Sequence, residues 1–364
     1  MKQVYIFVGD ISRTGGTERA VSNLFNILHQ QGINVSIVSL CSSKKCTSYY
    51  ELKDSSKIMH LEEGYIPTNI FRKFYWYLKT IYNLKSIQEL QNSIFIGTGH
   101  NINSVLTILN ILLSSKSKLI FCEHIQFNTI PFISKCIIKH LYKKADAIVL
   151  LSELAKEQFI NQTGINSNIS VIPNSLPFEI KPSFKSLNRD RLIMVGRLSK
   201  EKGYERLVPI LKTLKYKNPK LKLEIFGDGP QKGFLIDLFS NNNLDNVTIN
   251  NPVKNISIEY MKSSVLLMTS YCEAMPMVIL EANSCGIPVI AYECEGVNTL
   301  IKDGVNGFII PNNNHNLFSE KIINLNKDEN KRKEMFYNSL NCSEPYKENN
   351  ISRLWEQLYL KMNE

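Results

Sequence analysis

The sequence lacks the features that define several common classes of protein. None of its apolar runs is long enough to cross a bilayer, so we expect no transmembrane helix. Its first residues show no signal-peptide cleavage pattern, which predicts a cytoplasmic protein. The 8 cysteines include no Cys-x-x-Cys pair and have no histidine cluster beside them. This pattern favours reduced, structural thiols over a zinc site.

The composition is that of a folded protein with two domains. The 364 residues exceed one ordinary core, and 43% hydrophobic with 21% charged residues is a globular balance. Strand-like and helix-like patterns alternate in both halves, which predicts βαβ units and mostly parallel sheets. A polar, proline-bearing stretch at 173–189 separates the halves. We therefore predict an α/β fold of two doubly wound, Rossmann-like domains facing across a cleft, with residues 41–92 the least regular part of the first half and a helical tail from 331.

The net charge of +10 is unevenly distributed. In residues 65–144, here called the basic aromatic region, 10 lysines and arginines stand against Glu89 and Glu123. Aromatic residues interleave with the first basic cluster, from Phe71 to Tyr82. Two interpretations remain open, a surface for anionic lipid or a solvated helix whose aromatic side packs on its own domain. Nucleic acid is not an expected partner, because the sequence contains no recognisable nucleic-acid-binding module.

Two glutamates, Glu273 and Glu281, stand 8 residues apart on either side of a predicted helix start. Pro276 suits the first position of this helix. The free N–H groups and the positive dipole end of a helix start can hold phosphate. One carboxylate before the start and one behind it can bind hydroxyls on both sides of a diphosphate. This is the geometry that a nucleotide sugar requires.

Other motifs add groups suited to a phosphorylated ligand. Arg197 and Lys202 follow a buried strand, and two cations there can neutralise a departing nucleoside diphosphate. Two surface cations in a turn would give the same pattern. Gly227 and Asp228 lie in a tight turn that can contact a base or a phosphate, and a single aspartate excludes a calcium loop.

The N-terminal half carries weaker signals. Gly15 and Gly16 form a turn before a helix, but this turn is neither a G-x-G-x-x-G fingerprint nor a Walker loop. Such a turn is more often only a chain reversal. His124 follows a predicted strand end, where active-site side chains tend to lie, and His100 is a similar candidate. A lone histidine is more often structural.

Taken together, these residues resemble the retaining glycosyltransferases of family four, which have the GT-B fold. The resemblance rests on segments in the family's order, namely Gly15-Gly16 with Glu18, His124, Ile172-Pro173-Asn174, Gly196-Arg197 with Lys202, Gly227-Asp228-Gly229, Glu273 through Ile290, and Asp303 through Phe308. Three departures leave the donor sugar open. Ala274 replaces a common glycine, Glu295 to Thr299 replaces a Gly-Gly-x-x-Glu element, and Cys272 and Cys294 are unusual neighbours for a sugar site.

The resemblance implies a role for each matching residue. The implied catalytic residues are Glu273 at the sugar hydroxyls, His124 near the sugar, and Arg197 and Lys202 at the pyrophosphate. The implied donor-binding residues are Gly15, Gly16, Arg197, Lys202, Gly227, Asp228, the amides of Met277 and Val278, and Glu281 at the ribose. Residues 1–175 would form the acceptor-binding domain and 176–345 the nucleotide-sugar-binding domain. Residues 346–364 would form a helix that packs back toward the first domain.

These features predict a retaining hexosyltransferase that needs neither metal nor cofactor. The donor would be a nucleotide-diphosphate sugar, most simply a UDP-sugar. The acceptor would be a lipid-linked or growing glycan of a bacterial surface polysaccharide, such as O antigen, capsule or exopolysaccharide. The basic aromatic region would contact the inner face of the plasma membrane peripherally. Two alternatives remain, a UDP-sugar epimerase or hydrolase of the same fold and a non-catalytic nucleotide-sugar-binding protein.

Overall fold

The chain forms two compact units, and each is described by itself. The computed structural model describes residues 2–42, 48–67, 69–85, 90–112, 116–124, 130, 132–178 and 180–364. The first unit comprises Met1–Ser175 and Glu348–Glu364, and the second comprises Leu176–Lys347. None of the helices within these described ranges combines the length and hydropathy needed to cross a bilayer.

The first unit is built on a parallel sheet. Its strands are β1 (Val4–Val8), β2 (Val35–Ser39), β3 (Ile58–His60), β4 (Ile94–Thr98), β5 (Lys118–Cys122), β6 (Ala147–Leu150) and β7 (Ile169–Val171). They lie in the order β3-β2-β1-β4-β5-β6-β7, and neighbouring strands pair in parallel. Strands β1 and β4 are buried along their whole length, as expected where helices cover both faces of a sheet.

Helices pack on both sides of this sheet. They are α1 (Gly16–Gln30), α2 (Ile70–Lys85), α3 (His100–Leu112), α4 (Phe132–Leu141) and α5 (Glu153–Thr163). One apolar cluster contains residues of α1, and a second contains residues of α2, α3, α4 and α5.

The second unit repeats the architecture with a shorter sheet. Its strands are β8 (Asn188–Val195), β9 (Lys222–Phe226), β10 (Val247–Asn250), β11 (Ser263–Met268), β12 (Val289–Tyr292) and β13 (Gly307–Ile310), in the parallel order β10-β9-β8-β11-β12-β13. Its helices are α6 (Leu207–Lys217), α7 (Lys232–Asn241), α8 (Ile256–Met261), α9 (Met277–Ser284), α10 (Glu295–Leu300), α11 (His315–Lys327) and α12 (Glu329–Ser343). The prediction of two doubly wound α/β domains is confirmed.

The last helix, α13 (Glu348–Asn363), belongs to the first unit. Trp355 and Tyr359 enter the apolar cluster that contains α1. The Tyr359 hydroxyl donates to the Lys2 carbonyl over 3.1 Å, and Gln31 Nε2 donates to the Ser352 carbonyl over 2.9 Å. The final helix is therefore part of the core that begins with β1.

The structure adds detail in three segments that the sequence described only broadly. The stretch 41–92 contains β3 and α2. The tail is two helices, because Pro345 lies in a 3₁₀ turn (Glu344–Tyr346) and has no N–H to continue a helix. Strand β11 begins with two serines, Ser263 and Ser264. The Ser264 hydroxyl donates to the carbonyls of Arg189 and Arg191 over 3.0 Å each, so this polar residue is satisfied within the sheet.

Candidate functional site

The loops after β8 and β11 carry Arg197, Lys202 and Glu273, the charged residues at the centre of the predicted site. The second sheet reverses its strand order between these two strands, and ligands bind at such a reversal beyond the carboxyl ends of parallel strands. The loops are in contact. The Tyr271 amide donates to the Glu201 carbonyl over 2.9 Å, and Thr269 Oγ1 donates to the Lys202 carbonyl over 3.2 Å.

Lys202 and Glu273 form an ion pair between these loops. The Lys202 Nζ lies 2.5 Å from Glu273 Oε1, and Ser270 Oγ donates to the same oxygen over 2.9 Å. The two charged side chains are 26% and 13% exposed. Both therefore remain partly accessible. The resemblance assigns the pair to different parts of one ligand, and the structure brings them together.

Gly203 and Arg206 hold the two loops in this arrangement. Gly203 has φ +61°, and a Cβ there would lie 2.4 Å from the Thr269 carbonyl oxygen. Arg206 Nη1 donates to that carbonyl over 2.9 Å. Its guanidinium also lies over the rings of Tyr271 and Tyr292, at 4.7 and 3.8 Å from their centroids. Arg206 is buried, so it supports the loop after β11 from the interior of the second unit.

Glu281 occupies a different environment from Glu273. Pro276 is the N-cap of α9, one position earlier than predicted, and Met277 begins the helix. Met277 is buried and Val278 is partly buried. The Glu281 side chain is only 3% exposed, and its Oε2 accepts a hydrogen bond from the Tyr260 hydroxyl over 2.9 Å. This enclosure restrains Glu281, and the predicted contact with ribose stays a prediction.

Arg197 and Asp228 are exposed at neighbouring strand ends. The Gly196 amide donates to the Phe226 carbonyl over 3.1 Å, and the Leu198 amide donates to the Asp228 carbonyl over 2.9 Å. The loop of Arg197 therefore runs beside the turn that contains buried Gly227. These groups are available at the same edge of the sheet as the Lys202–Glu273 pair.

The two unusual cysteines lie close to Glu273. Cys294 is the N-cap of α10, and the Gly296 amide donates to the Glu273 carbonyl over 2.8 Å. Burial, and then the charge of Glu273, raise the pKa of Cys272 to about 11. Burial also raises the pKa of Cys294. Both thiols therefore stay protonated at neutral pH and add no charge to the site.

In the first unit, the Gly15-Gly16 turn is placed at the start of α1. Gly15 is the N-cap, and a Cβ on it would lie 2.1 Å from Glu18 Oε2. The Glu18 carboxylate thus folds back over the start of its own helix. Since an acid already lies at this positive dipole end, the turn is less available to phosphate than the sequence suggests.

His124 lines a cavity inside the first unit. The cavity is also lined by Ala20 and Val21 of α1, by Thr98 and by Asn174. Although part of the imidazole surface stays accessible, desolvation lowers the pKa of His124 to about 4. The side chain is therefore neutral at pH 7, and it can act there as a hydrogen-bonding group but not as a cation.

A buried polar cluster lies beside His124 in the chain. Glu123 accepts hydrogen bonds at Oε1 from the Tyr142 hydroxyl and, over 3.0 Å, from Asn103 Nδ2. Burial raises the pKa of Glu123 to about 7, although these hydrogen bonds oppose the rise. The cluster ties α3 and the segment after α4 to the end of β5. His100, the weaker candidate, is the first residue of α3 and lies one turn before Asn103.

Sequence reasoning missed Ser270, Arg206 and Tyr260. Ser270 stands three residues before Glu273, a spacing at which a side chain can bond across a turn. No spacing links Arg206 or Tyr260 to the residues that they support, because those contacts arise only from packing in the sheet.

The basic aromatic region forms an apolar surface on α2. Phe71, Tyr75, Leu78 and Tyr82 follow one another at helical spacing, and they are 82%, 70%, 51% and 75% exposed. Trp76 and Ile81 on the opposite side are buried in the core. Thr68, residues 86–89, 113–115, 125–129 and Pro131 of this region lie outside the described residues. The structure therefore shows that the aromatic residues of α2 divide between packing and exposure.

Comparison with known proteins shows which family has this architecture. A family model described as Glycosyltransferase Family 4 matches residues 14–179, and one described as Glycosyl transferases group 1 matches residues 177–341. The solved structure of a mutant of S. aureus TarM in complex with UDP matches with a TM-score of 0.83 at 14% identity, covering 99% of this chain and 100% of that chain. The two family models and the fold thus define a glycosyltransferase with the GT-B fold.

Relatives of known name agree with this class. The chain is 27% identical over 366 residues to the amylovoran biosynthesis glycosyltransferase AmsD of Erwinia amylovora, covering 98% of this chain and 99% of that protein. It is also 27% identical over 317 residues to the lipopolysaccharide 1,6-galactosyltransferase of Escherichia coli K12, covering 83% of each. The chain belongs to the glycosyltransferases that join a family-four N-terminal half to a group 1 C-terminal half.

Proposed function

We propose that this glycosyltransferase transfers a hexose from a UDP-sugar to a lipid-linked or growing glycan of a bacterial surface polysaccharide, with retention of configuration. The Lys202–Glu273 pair at the strand-order reversal carries the proposal. It places a cation for a departing diphosphate beside a carboxylate that can accept hydrogen bonds from sugar hydroxyls. The UDP in the TarM complex and the polysaccharide names of the two relatives support this choice of donor and pathway.

The proposed mechanism uses side chains, backbone amides and the leaving phosphate itself. Arg197 and Lys202 would stabilise the charge that develops on the leaving diphosphate, and the first amides of α9 would add to that stabilisation. Glu273 would orient the sugar through its hydroxyls. A neutral His124 would hydrogen-bond the sugar or the acceptor. The leaving phosphate would itself assist deprotonation of the acceptor, with neither metal nor cofactor.

The experiment is a donor and acceptor screen with the purified chain. UDP-glucose, UDP-galactose and their N-acetyl forms are incubated with and without lipid-linked oligosaccharides, and UDP release and product anomeric configuration are measured. We expect acceptor-dependent release of UDP, an α-linked product from an α-linked donor, and undiminished activity in EDTA. Inversion or full chelator sensitivity would contradict the respective part of the proposal.

The variants Lys202→Ala and Lys200→Ala sharpen this screen. We expect Lys202→Ala to lower kcat by about 10²-fold, since it removes a group that stabilises developing charge. Lys200 is exposed on the same 3₁₀ turn and makes a matched control with near-normal rates. Free sugar or an epimerised donor formed without acceptor would instead favour the epimerase or hydrolase alternative. Donor binding with no turnover of any kind would favour the non-catalytic one.

We also propose a peripheral contact of the α2 surface with the inner face of the plasma membrane. Exposed aromatic and leucine side chains suit the boundary between headgroups and acyl chains. Arg72 and Lys79 are exposed beside them on the helix, where Lys79 also forms an ion pair with Glu62 at 3.4 Å. The enzyme would then bind a lipid-linked acceptor at the surface of the membrane that holds it.

A further inference from the structure

In the proposed donor site, Glu273 and a bound diphosphate would compete for the Lys202 ammonium. The Lys202 ammonium contacts Glu273 Oε1 at 2.5 Å, and Ser270 reinforces the position of that oxygen. A diphosphate that requires the same ammonium meets a carboxylate already bound to it. Opposite charges a few ångströms apart in a partly desolvated site attract each other strongly enough for this competition to affect binding.

The backbone keeps the two partners together. Gly203 packs against the Thr269 carbonyl, and Arg206 donates to that same oxygen over 2.9 Å. The Tyr271 amide also donates to the Glu201 carbonyl over 2.9 Å. Separating the loops would break these contacts together, so the flexible Lys202 side chain is the part that can change partner.

We propose that Glu273 is an internal competitor for Lys202, which weakens the binding of a nucleoside diphosphate relative to the intact nucleotide sugar. A diphosphate that takes the ammonium leaves Glu273 without its cation. An intact donor offsets the loss of this ion pair, because its sugar hydroxyls donate hydrogen bonds to the Glu273 carboxylate. The spent diphosphate has no such hydroxyls at that position. Glu273 would therefore promote product release as well as orient the sugar.

This inference rests on the proposed function, and it makes a counterintuitive prediction for a residue of the site. Glu273→Gln should bind UDP more tightly than the wild type, by about tenfold, which is the usual size of coupling between contacting charged groups. The same variant should turn over UDP-sugar more slowly. Titration calorimetry with UDP and steady-state kinetics with the donor measure the two effects.

A double-mutant cycle separates competition from simple repulsion. In the wild-type background, Glu273→Gln should raise UDP affinity by a measured factor. In a Lys202→Met background, the same substitution should raise UDP affinity by less than about half of that factor, because no ammonium is left to release. Equal tightening in both backgrounds would show repulsion alone and overturn the proposal. Unchanged or weaker UDP binding by Glu273→Gln would overturn it as well.

Glu201→Gln is the matched control. Glu201 lies next to Lys202 in the chain, and its carboxylate accepts a hydrogen bond from Ser199 Oγ over 2.5 Å. Neutralising it removes one nearby charge and leaves the ion pair intact, so UDP affinity should change by less than about twofold. Tightening equal to that of Glu273→Gln would overturn the proposal.

Failure of the proposed function gives a distinct result. If the wild-type chain binds none of UDP, GDP, ADP and dTDP, the nucleotide donor is refuted and the competition with it. If it binds one of them and Glu273→Gln fails to tighten that binding, only the competition is refuted.

Discussion

At the scale of single residues, the buried carboxyl group of Glu123 links the stability of the protein to pH. Burial raises its pKa from an ordinary 4.5 to about 7. The folded chain therefore holds a proton at pH values where the unfolded chain has lost it. The resulting stabilisation is complete below about pH 4.5 and is lost as the pH rises through about 7. Its full size is roughly 3 kcal/mol.

We predict that Glu123→Gln removes this pH dependence. The amide cannot ionise, so the free energy of unfolding of the variant should decline less than that of the wild type between pH 5 and 8. Urea titrations at several pH values measure the difference. Tyr142→Phe is the companion variant, because it removes a hydrogen bond that favours the ionised carboxyl and should move the loss of stability to higher pH. Parallel profiles for Glu123→Gln and the wild type would contradict the assignment.

The candidate site was only partly predictable at this scale. Lys202 and Glu273 could be found separately, because each follows a strand end and the resemblance assigns each a role. Their contact could not be found, because it depends on β8 and β11 being neighbours although 67 residues lie between the end of β8 and the start of β11. The burial of Glu281 depends in the same way on packing against Tyr260 of α8.

At the scale of secondary structure, α2 is apolar on its inner and outer sides at once. The inner side explains why the helix packs on its sheet, and the outer side has no partner within the described residues. The sequence predicted 41–92 only as the least regular part of the first half, so the bounds of α2 come from the structure. Strand β3 was missed, since it has only 3 residues and none of them is fully buried.

We predict that α2 drives binding to anionic vesicles. Replacing Phe71, Tyr75 and Tyr82 by serine should lower partitioning onto vesicles containing phosphatidylglycerol by at least about tenfold, since three large apolar contacts are lost. Co-sedimentation measures the bound fraction. Tyr216→Ser on α6 is the control, because this tyrosine is 88% exposed in the second unit. Equal partitioning of the triple variant and the wild type would refute the membrane contact.

At the scale of the whole molecule, the first unit depends on a helix from the far end of the chain. Trp355 of α13 is buried in the cluster that contains β1 and α1. The sequence predicted a helical tail, and the resemblance implied that its last helix packs back toward the first domain. Pro345 marks in the sequence where α12 ends and α13 begins, because proline has no N–H to continue a helix, and the resemblance implied nearly the same boundary at 346.

We predict that Trp355→Ala destabilises the first unit by about 3–5 kcal/mol, the usual cost of removing a large buried side chain. Leu360→Ala is the control, because Leu360 of the same helix is 54% exposed and its loss should cost less than about 0.5 kcal/mol. Hydrogen exchange resolves the effect by unit. Protection should fall in β1, β2 and α1, and it should persist in β8 and β11. Uniform loss in both units would contradict this assignment.

The position of α13 also dictates an order of events during synthesis. A ribosome makes the whole second unit before it makes the helix that closes the first core. While Leu176–Lys347 is translated, the nascent first unit lacks α13. The groove that Trp355 and Tyr359 later fill is exposed to water during this time. Chaperones that bind apolar surfaces can bind that groove during this interval. Slow translation beyond residue 175 would lengthen the interval.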